Sequence, residues 1–173
     1  MRNQVRARHS LDGGVGDGSE RGIVRGGVVA LISIDRKWIG QEFDVAEFKV
    51  SEKGILAFAR ACGETEPRFT DPSHPDFQAP PTFTSKYVSR RILPEAFPDL
   101  GARGFDAGKT VEVLGPLRPN DTLTARSKIA DIYEKTGRSG PMIFIVHRME
   151  FFNQDGQPVS IVDWRLVRQP DPE

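Results

Sequence analysis

Cysteine is almost absent from this chain: Cys62 is the only one in 173 residues. A structural zinc site takes four cysteines, or at least two combined with histidines, so none is expected. A single cysteine closes no internal disulfide, which fits a reducing cytoplasm. Charge of one sign is also lacking. The 24 Lys and Arg balance 24 Asp and Glu, leaving no net field to draw in nucleic acid or an anionic membrane. Long apolar runs are missing too, and none approaches the roughly 18–20 residues that span a bilayer. Residues 1–27 contain no apolar stretch of the kind a secretory signal needs, so no signal is expected.

Residues 1–27 also lack aromatics and hold seven of the 17 glycines. Such a segment cannot bury enough apolar surface to offset the entropy of ordering it. Residues 1–30 are therefore expected to be a disordered tail, and 31–170 a single folded domain of ordinary size.

Within that domain the pattern alternates between strand and helix signals. Residues 43–50 are rich in aromatic and β-branched side chains and read as a strand. Ser51 is a good helix N-cap, and Glu52 sits where the helix dipole favours a carboxylate. Ile55, Phe58, Ala59 and Cys62 then share one helical face, with Gly63 as the stop. That places Cys62 as a small core residue. Residues 63–81 are punctuated by prolines and read as a loop. A helix is expected over 82–93, with Pro81 at its start, Pro94 ending it, and Phe83, Tyr87, Val88 and Ile92 on one face. A short strand is expected at 110–114. A long one at 123–134 puts Leu123, Ala125 and Ile129 on one side. After a turn at 135–140, residues 142–152 are nearly continuous apolar, as in a strand covered on both faces. Asp155-Gly156 is a hairpin dipeptide leading into a last strand at 159–167. The class is α+β, an antiparallel sheet wrapped around a helix.

Three stretches carry a resemblance. They are Phe58-Ala-Arg-Ala-Cys-Gly-Glu-Thr-Glu-Pro67 with Arg68-Phe-Thr-Asp71, then Ala79-Pro-Pro-Thr-Phe83, then Gly115-Pro-Leu-Arg-Pro-Asn-Asp-Thr-Leu123. In this order they resemble the MaoC-like dehydratase family, in particular its small N-terminal-type domains. The resemblance implies a single hot-dog fold over roughly residues 35–168, with 82–93 as its central helix. It also implies hydration of trans-2-enoyl thioesters, or dehydration of (R)-3-hydroxyacyl thioesters, of coenzyme A or acyl carrier protein. No cofactor or metal is implied. The implied partner is a second hot-dog subunit, identical or different, with the site between the two.

The family's hydratase motif runs Gly-Asp-x-Asn-Pro-(aliphatic)-His-x-Asp. Gly63, Pro67 and Asp71 match it. Glu64 stands at the catalytic Asp position and Phe69 at the catalytic His position. A carboxylate one methylene longer is displaced by about an ångström, which costs rate where geometry is strict. A phenyl ring transfers no proton at all. The resemblance therefore implies a degenerate subunit that shapes the acyl channel for a catalytic partner. Two other readings stay open: a thioesterase using Glu64, and a non-enzymatic acyl-thioester-binding protein.

For single residues, Glu64 is either a site carboxylate or a solvated turn residue. Phe69 is a pocket wall or plain core. Pro81, Thr82 and Phe83 are candidates for substrate contact, because a helix start presents unpaired N–H groups to a thioester carbonyl. His74 is either a replacement base or a surface-loop residue. His147, inside an apolar strand, reads as a satisfied sheet residue. Arg118, Lys135, Arg138 and Arg148 are candidates for the phosphates of coenzyme A or an acidic carrier protein, or else simply solvated.

Overall fold

The computed structural model describes residues 34–101, 103–138 and 140–169, so the expected tail lies outside the described residues. Five strands make one antiparallel sheet: β1 (Glu42–Lys49), β2 (Gly104–Val113), β3 (Thr122–Gly137), β4 (Gly140–Phe152) and β5 (Pro158–Arg168). Their spatial order is β1-β3-β4-β5-β2. Alternation dictates which side is inner. Leu123, Ala125, Ser127 and Ile129 of β3 are all buried, while Thr124 and Lys128 between them are not. Paired residues share a face. Asp44 of β1 pairs with Ser127, His147 of β4 pairs with Ile129 and Trp164 of β5, and Lys109 of β2 pairs with Trp164.

The turn expected over 135–140 is tighter than six residues. Lys135 pairs with Met142, Thr136 with Pro141 and Gly137 with Gly140. Continued pairing satisfies backbone groups that a wider loop would leave to water. The strand expected at 110–114 also grows, starting at Gly104 and interrupted by a register shift between Asp106 and Lys109. Gly108 lies in that shift with φ +94°, a conformation glycine takes without strain.

Helix α1 (Glu52–Cys62) follows β1 as its caps dictate. The Ser51 hydroxyl accepts a hydrogen bond from the Gly54 N–H at 3.1 Å. Gly63 closes the helix in the left-handed conformation, and the Glu64 N–H donates back to the Ala59 carbonyl. Ile55 and Ala59 are buried, and the Phe58 ring meets Phe83 edge-on at 5.3 Å. Cys62 is not a core residue, as its position on this face had implied: it is exposed. Residues 60–63 are all exposed, so the last turn stands clear of the core. The stretch expected as loop contains a one-turn helix, α2 (Pro67–Thr70), with Pro67 at its first position, where no N–H is needed.

The helix expected over 82–93 does not form. Only Phe83–Lys86 make a turn, of 3₁₀ type, and no regular helix follows. Tertiary partners take the groups a helix would use. The Ser85 carbonyl accepts from Lys109 Nζ at 2.9 Å, and the Arg90 N–H donates to the Asp44 carboxylate at 2.8 Å. The Ser89 hydroxyl bonds the Arg91 carbonyl. The Arg90 guanidinium then grips the same Asp44 carboxylate and the Val45 carbonyl. In place of a central helix, α1, the 3₁₀ turn and an irregular strand of chain cover the sheet's inner face.

Two apolar clusters result. One gathers Val50, Ile55, Phe83, Leu123, Phe151 and Val162 with their neighbours. The other gathers Leu100, Ile129, Ile132, Ile143, Ile145 and Leu166.

Candidate functional site

A cavity of about 200 Å³ opens beside the first cluster. The loop after α1 and the 3₁₀ turn supply one wall: Phe69, Ala79, Pro80, Pro81 and Phe83. The sheet and the chain leading to β3 supply the other: Val113, Leu117 and Val159. Proline at 80 and 81 suits this wall, because a backbone without N–H groups leaves fewer donors unsatisfied against an apolar space. The Ala79 N–H is itself spent on the Leu117 carbonyl at 2.8 Å, which ties the two walls together.

Polar groups in the lining are few. Thr84 and Ser160 meet in the cavity wall with their hydroxyls 3.0 Å apart, and both residues are buried. Gln78 and Arg68 complete the polar set. The Arg68 guanidinium pairs with Glu66 at 2.8 Å and lies over the Phe69 ring at 4.6 Å. Arg68 is the only ionisable side chain in the lining among the described residues. No three His, Cys, Asp or Glu residues come together as a metal-holding group among the described residues.

The residues singled out from sequence divide accordingly. Phe69, Pro81 and Phe83 are brought together around the cavity. Glu64 is half-buried and Thr82 is exposed, and neither lines it. A four-residue 3₁₀ turn also lacks the N–H array expected of a helix start at Thr82. Gly63, Pro67 and Asp71 shape the loop. Gly63 caps α1 and Pro67 starts α2. Asp71 ends α2 and accepts from the Ser73 N–H and hydroxyl at 2.9 and 2.7 Å, and these bonds hold its carboxyl below the usual range.

His74 is turned to its own loop, its Nδ1 accepting from the Asp76 N–H at 3.1 Å. His147 is buried in β4, but it is not satisfied as expected: neither ring nitrogen has a partner. It sits between Phe43 and Trp164, at 5.3 and 6.3 Å. Burial, helped by the Lys109 charge and opposed by Asp44, pushes its pKa down to about 4. Of the basic candidates, Arg148 is committed to a two-pronged bond with Asp163 at 2.7 and 2.8 Å. Arg118 lies 3.8 Å from Asp76, and Lys135 rests over the Tyr133 and Phe144 rings. Sequence reasoning missed Thr84 and Ser160. A serine among the apolar residues that open the last strand, Val159, Ile161 and Val162, was the available signal.

A family model described as the FAS1-like dehydratase domain region matches residues 37–162. The chain belongs to that family. A UPF0336 protein of Streptomyces coelicolor is 28% identical to this FAS1-like dehydratase region protein over 149 residues, covering 79% of this chain and 95% of the relative. Among solved structures, the MaoC-like dehydratase of Rhodospirillum rubrum superposes with a TM-score of 0.53 at 24% identity, covering 78% of this chain and 94% of the other. The HadBC (3R-hydroxyacyl-ACP dehydratase) complex of Mycobacterium tuberculosis gives 0.56 at 20% identity, covering 75% and 96%. The FAS1-like dehydratase chain therefore has the hot-dog fold of the MaoC-like dehydratases, built as an α+β antiparallel sheet. No helix among its described residues is long and apolar enough to cross a membrane.

Proposed function

We propose that this chain is a subunit of an (R)-specific enoyl-thioester hydratase/3-hydroxyacyl-thioester dehydratase whose own proton-transfer pair is lost. One observation carries the reading. Phe69, at the motif's histidine position, is buried and lines the cavity, and among the described residues the only ionisable side chain in that lining is Arg68. Hydration forms a C3–O bond, removes a proton from water and delivers one to C2. Phenylalanine does neither, and a guanidinium offers hydrogen-bond donors but no acceptor to take a proton from water. The chain's part is to bind and shape: an apolar channel for the acyl chain, walled by Pro80, Pro81 and Phe83.

The missing acid and base then come from a second hot-dog subunit that keeps the Asp and His. The likeness to a HadBC complex supports such a partner. The thioester is carried by coenzyme A or by an acyl carrier protein, and the enzyme works in the cytoplasm. The test is crotonyl-CoA hydration by the purified chain, alone and mixed with a hot-dog chain bearing an intact Asp/His motif. The chain alone is expected to be silent and the mixture active beyond the partner alone. Turnover by the isolated chain at ordinary enzyme rates, about 1–1,000 per second, overturns the reading.

A further inference from the structure

We infer that Thr84 and Ser160 form an oxygen-reading pair, selecting acyl chains that carry a hydroxyl or carbonyl oxygen over plain hydrocarbon chains. The inference rests on the acyl-thioester reading above and adds to it the residues that discriminate. The two hydroxyls come from the 3₁₀ turn and from β5, 76 positions apart in the chain, and meet at 3.0 Å. Both residues are almost fully buried, at 3% and 4% exposure. Both line the cavity, whose other wall residues are almost all apolar.

Two hydroxyls bring two protons to such a contact, and one bond uses one of them. Ser160 donates to Thr84, and the Thr84 hydroxyl proton has no acceptor among the described residues. If the pair turned round, the Ser160 proton would be left over instead. A buried donor without an acceptor costs free energy, and a hydrocarbon chain lying against it removes any water that served it. An incoming oxygen takes up the proton and removes that cost. A pair needed only for packing is met as well by valine and alanine, with no hydroxyl to desolvate. The arrangement therefore favours a ligand with an oxygen at the depth of Thr84.

The experiment is calorimetric titration of the full chain with (R)-3-hydroxybutyryl-CoA and with butyryl-CoA. Wild type is expected to bind the hydroxylated ligand about tenfold more tightly, the value of one net hydrogen bond. Thr84→Val and Ser160→Ala are expected to bring that ratio to within about twofold, chiefly by weakening the hydroxylated ligand. Thr84→Ser, which keeps the hydroxyl, is expected to retain the preference. A purely structural pair would lower both affinities alike and leave the ratio untouched, which overturns the inference. Equal binding of the two ligands by wild type also overturns it while sparing the acyl-thioester reading. Binding of neither ligand overturns both. Should Thr84→Val fail to fold, Ser160→Ala and Thr84→Ser read the same ratio from either side of the contact.

Discussion

The two ends of the sheet's inner face are built differently. At one end aromatic rings converge: Phe48 stacks on Tyr87 at 4.3 Å, Tyr87 meets Phe83 edge-on, and Phe151 lies beneath. This end has the helix, the 3₁₀ turn and the cavity. At the other end the sheet contributes branched aliphatics, Ile129, Ile132, Ile143 and Ile145, covered by irregular chain around Leu93, Phe97 and Leu100. Between them runs a polar band: Asp44, Ser127 and His147, with Trp164 and Lys109 beside His147. Ser127, His147 and Trp164 keep buried polar atoms without partners among the described residues, as does Tyr87 at the aromatic end. At the aromatic end a cavity opens beside the rings, walled by Phe83, Leu117 and Val159 of that cluster.

The largest effect is expected from the aromatic end. Phe151 is fully buried under Phe48 and Tyr87, so Phe151→Ala should cost about 3–5 kcal/mol in urea unfolding. Ile145, fully buried at the aliphatic end, gives the matched truncation: Ile145→Ala should cost about 2–5 kcal/mol in the same measurement. The polar band gives the next effect, as a pH dependence. His147 titrates near 4 when folded and near 6.5 when unfolded, so it is neutral in the fold and the unfolded chain binds its proton first. Stability is therefore full above pH 6.5 and is lost as the pH falls toward 4, by up to about 3 kcal/mol. His147→Leu should flatten that slope in the same urea titrations.

Asp44 gives a smaller effect at lower pH. Burial raises its carboxyl, but the Arg90 N–H and guanidinium more than offset this and hold it below the usual range. Its contribution is present above the unfolded pKa and is lost as acid protonates it. Asp44→Ala should cost about 1–2 kcal/mol, because Arg90 can return to water. It should also free residues 87–93, read as faster amide exchange there. The smallest effect belongs to Gly63, held at φ +71° with open space around it. Gly63→Ala should cost about 1 kcal/mol in thermal unfolding, from backbone strain alone.

The same division explains what the sequence made legible. β3 was readable because a half-buried strand writes its burial into alternation, β4 because its run is nearly continuous apolar, and β5 because Asp155-Gly156 marks the hairpin before it, with Gly156 at φ +73°. α1 was readable because its caps, Ser51 and Gly63, act within a few residues of themselves. The 82–93 segment was not. Its apolar spacing suits a helix, but Asp44, 46 residues away, takes the Arg90 amide. No local pattern encodes that competition. His147 illustrates the same limit, since sequence placed it in a strand but could not show that both its nitrogens lack partners. At the candidate site, the proline wall and Phe69 were legible from motif order. The Thr84–Ser160 contact was not, because it joins elements far apart in the chain.

The strand order carries a consequence for how the chain is made. β2 is finished early, at Val113, yet its ladder partner is β5, the last strand to be synthesised. Until Pro158–Arg168 leaves the ribosome, β2 has no neighbour on either side, and the cavity lacks Val159 and Ser160. Pairing across such a separation is slow, and an unpaired edge invites wrong partners meanwhile. The cavity is thus among the last features to exist in the life of the nascent chain, and a ribosome that stalls before residue 158 releases a product with a bare strand and an open cavity wall.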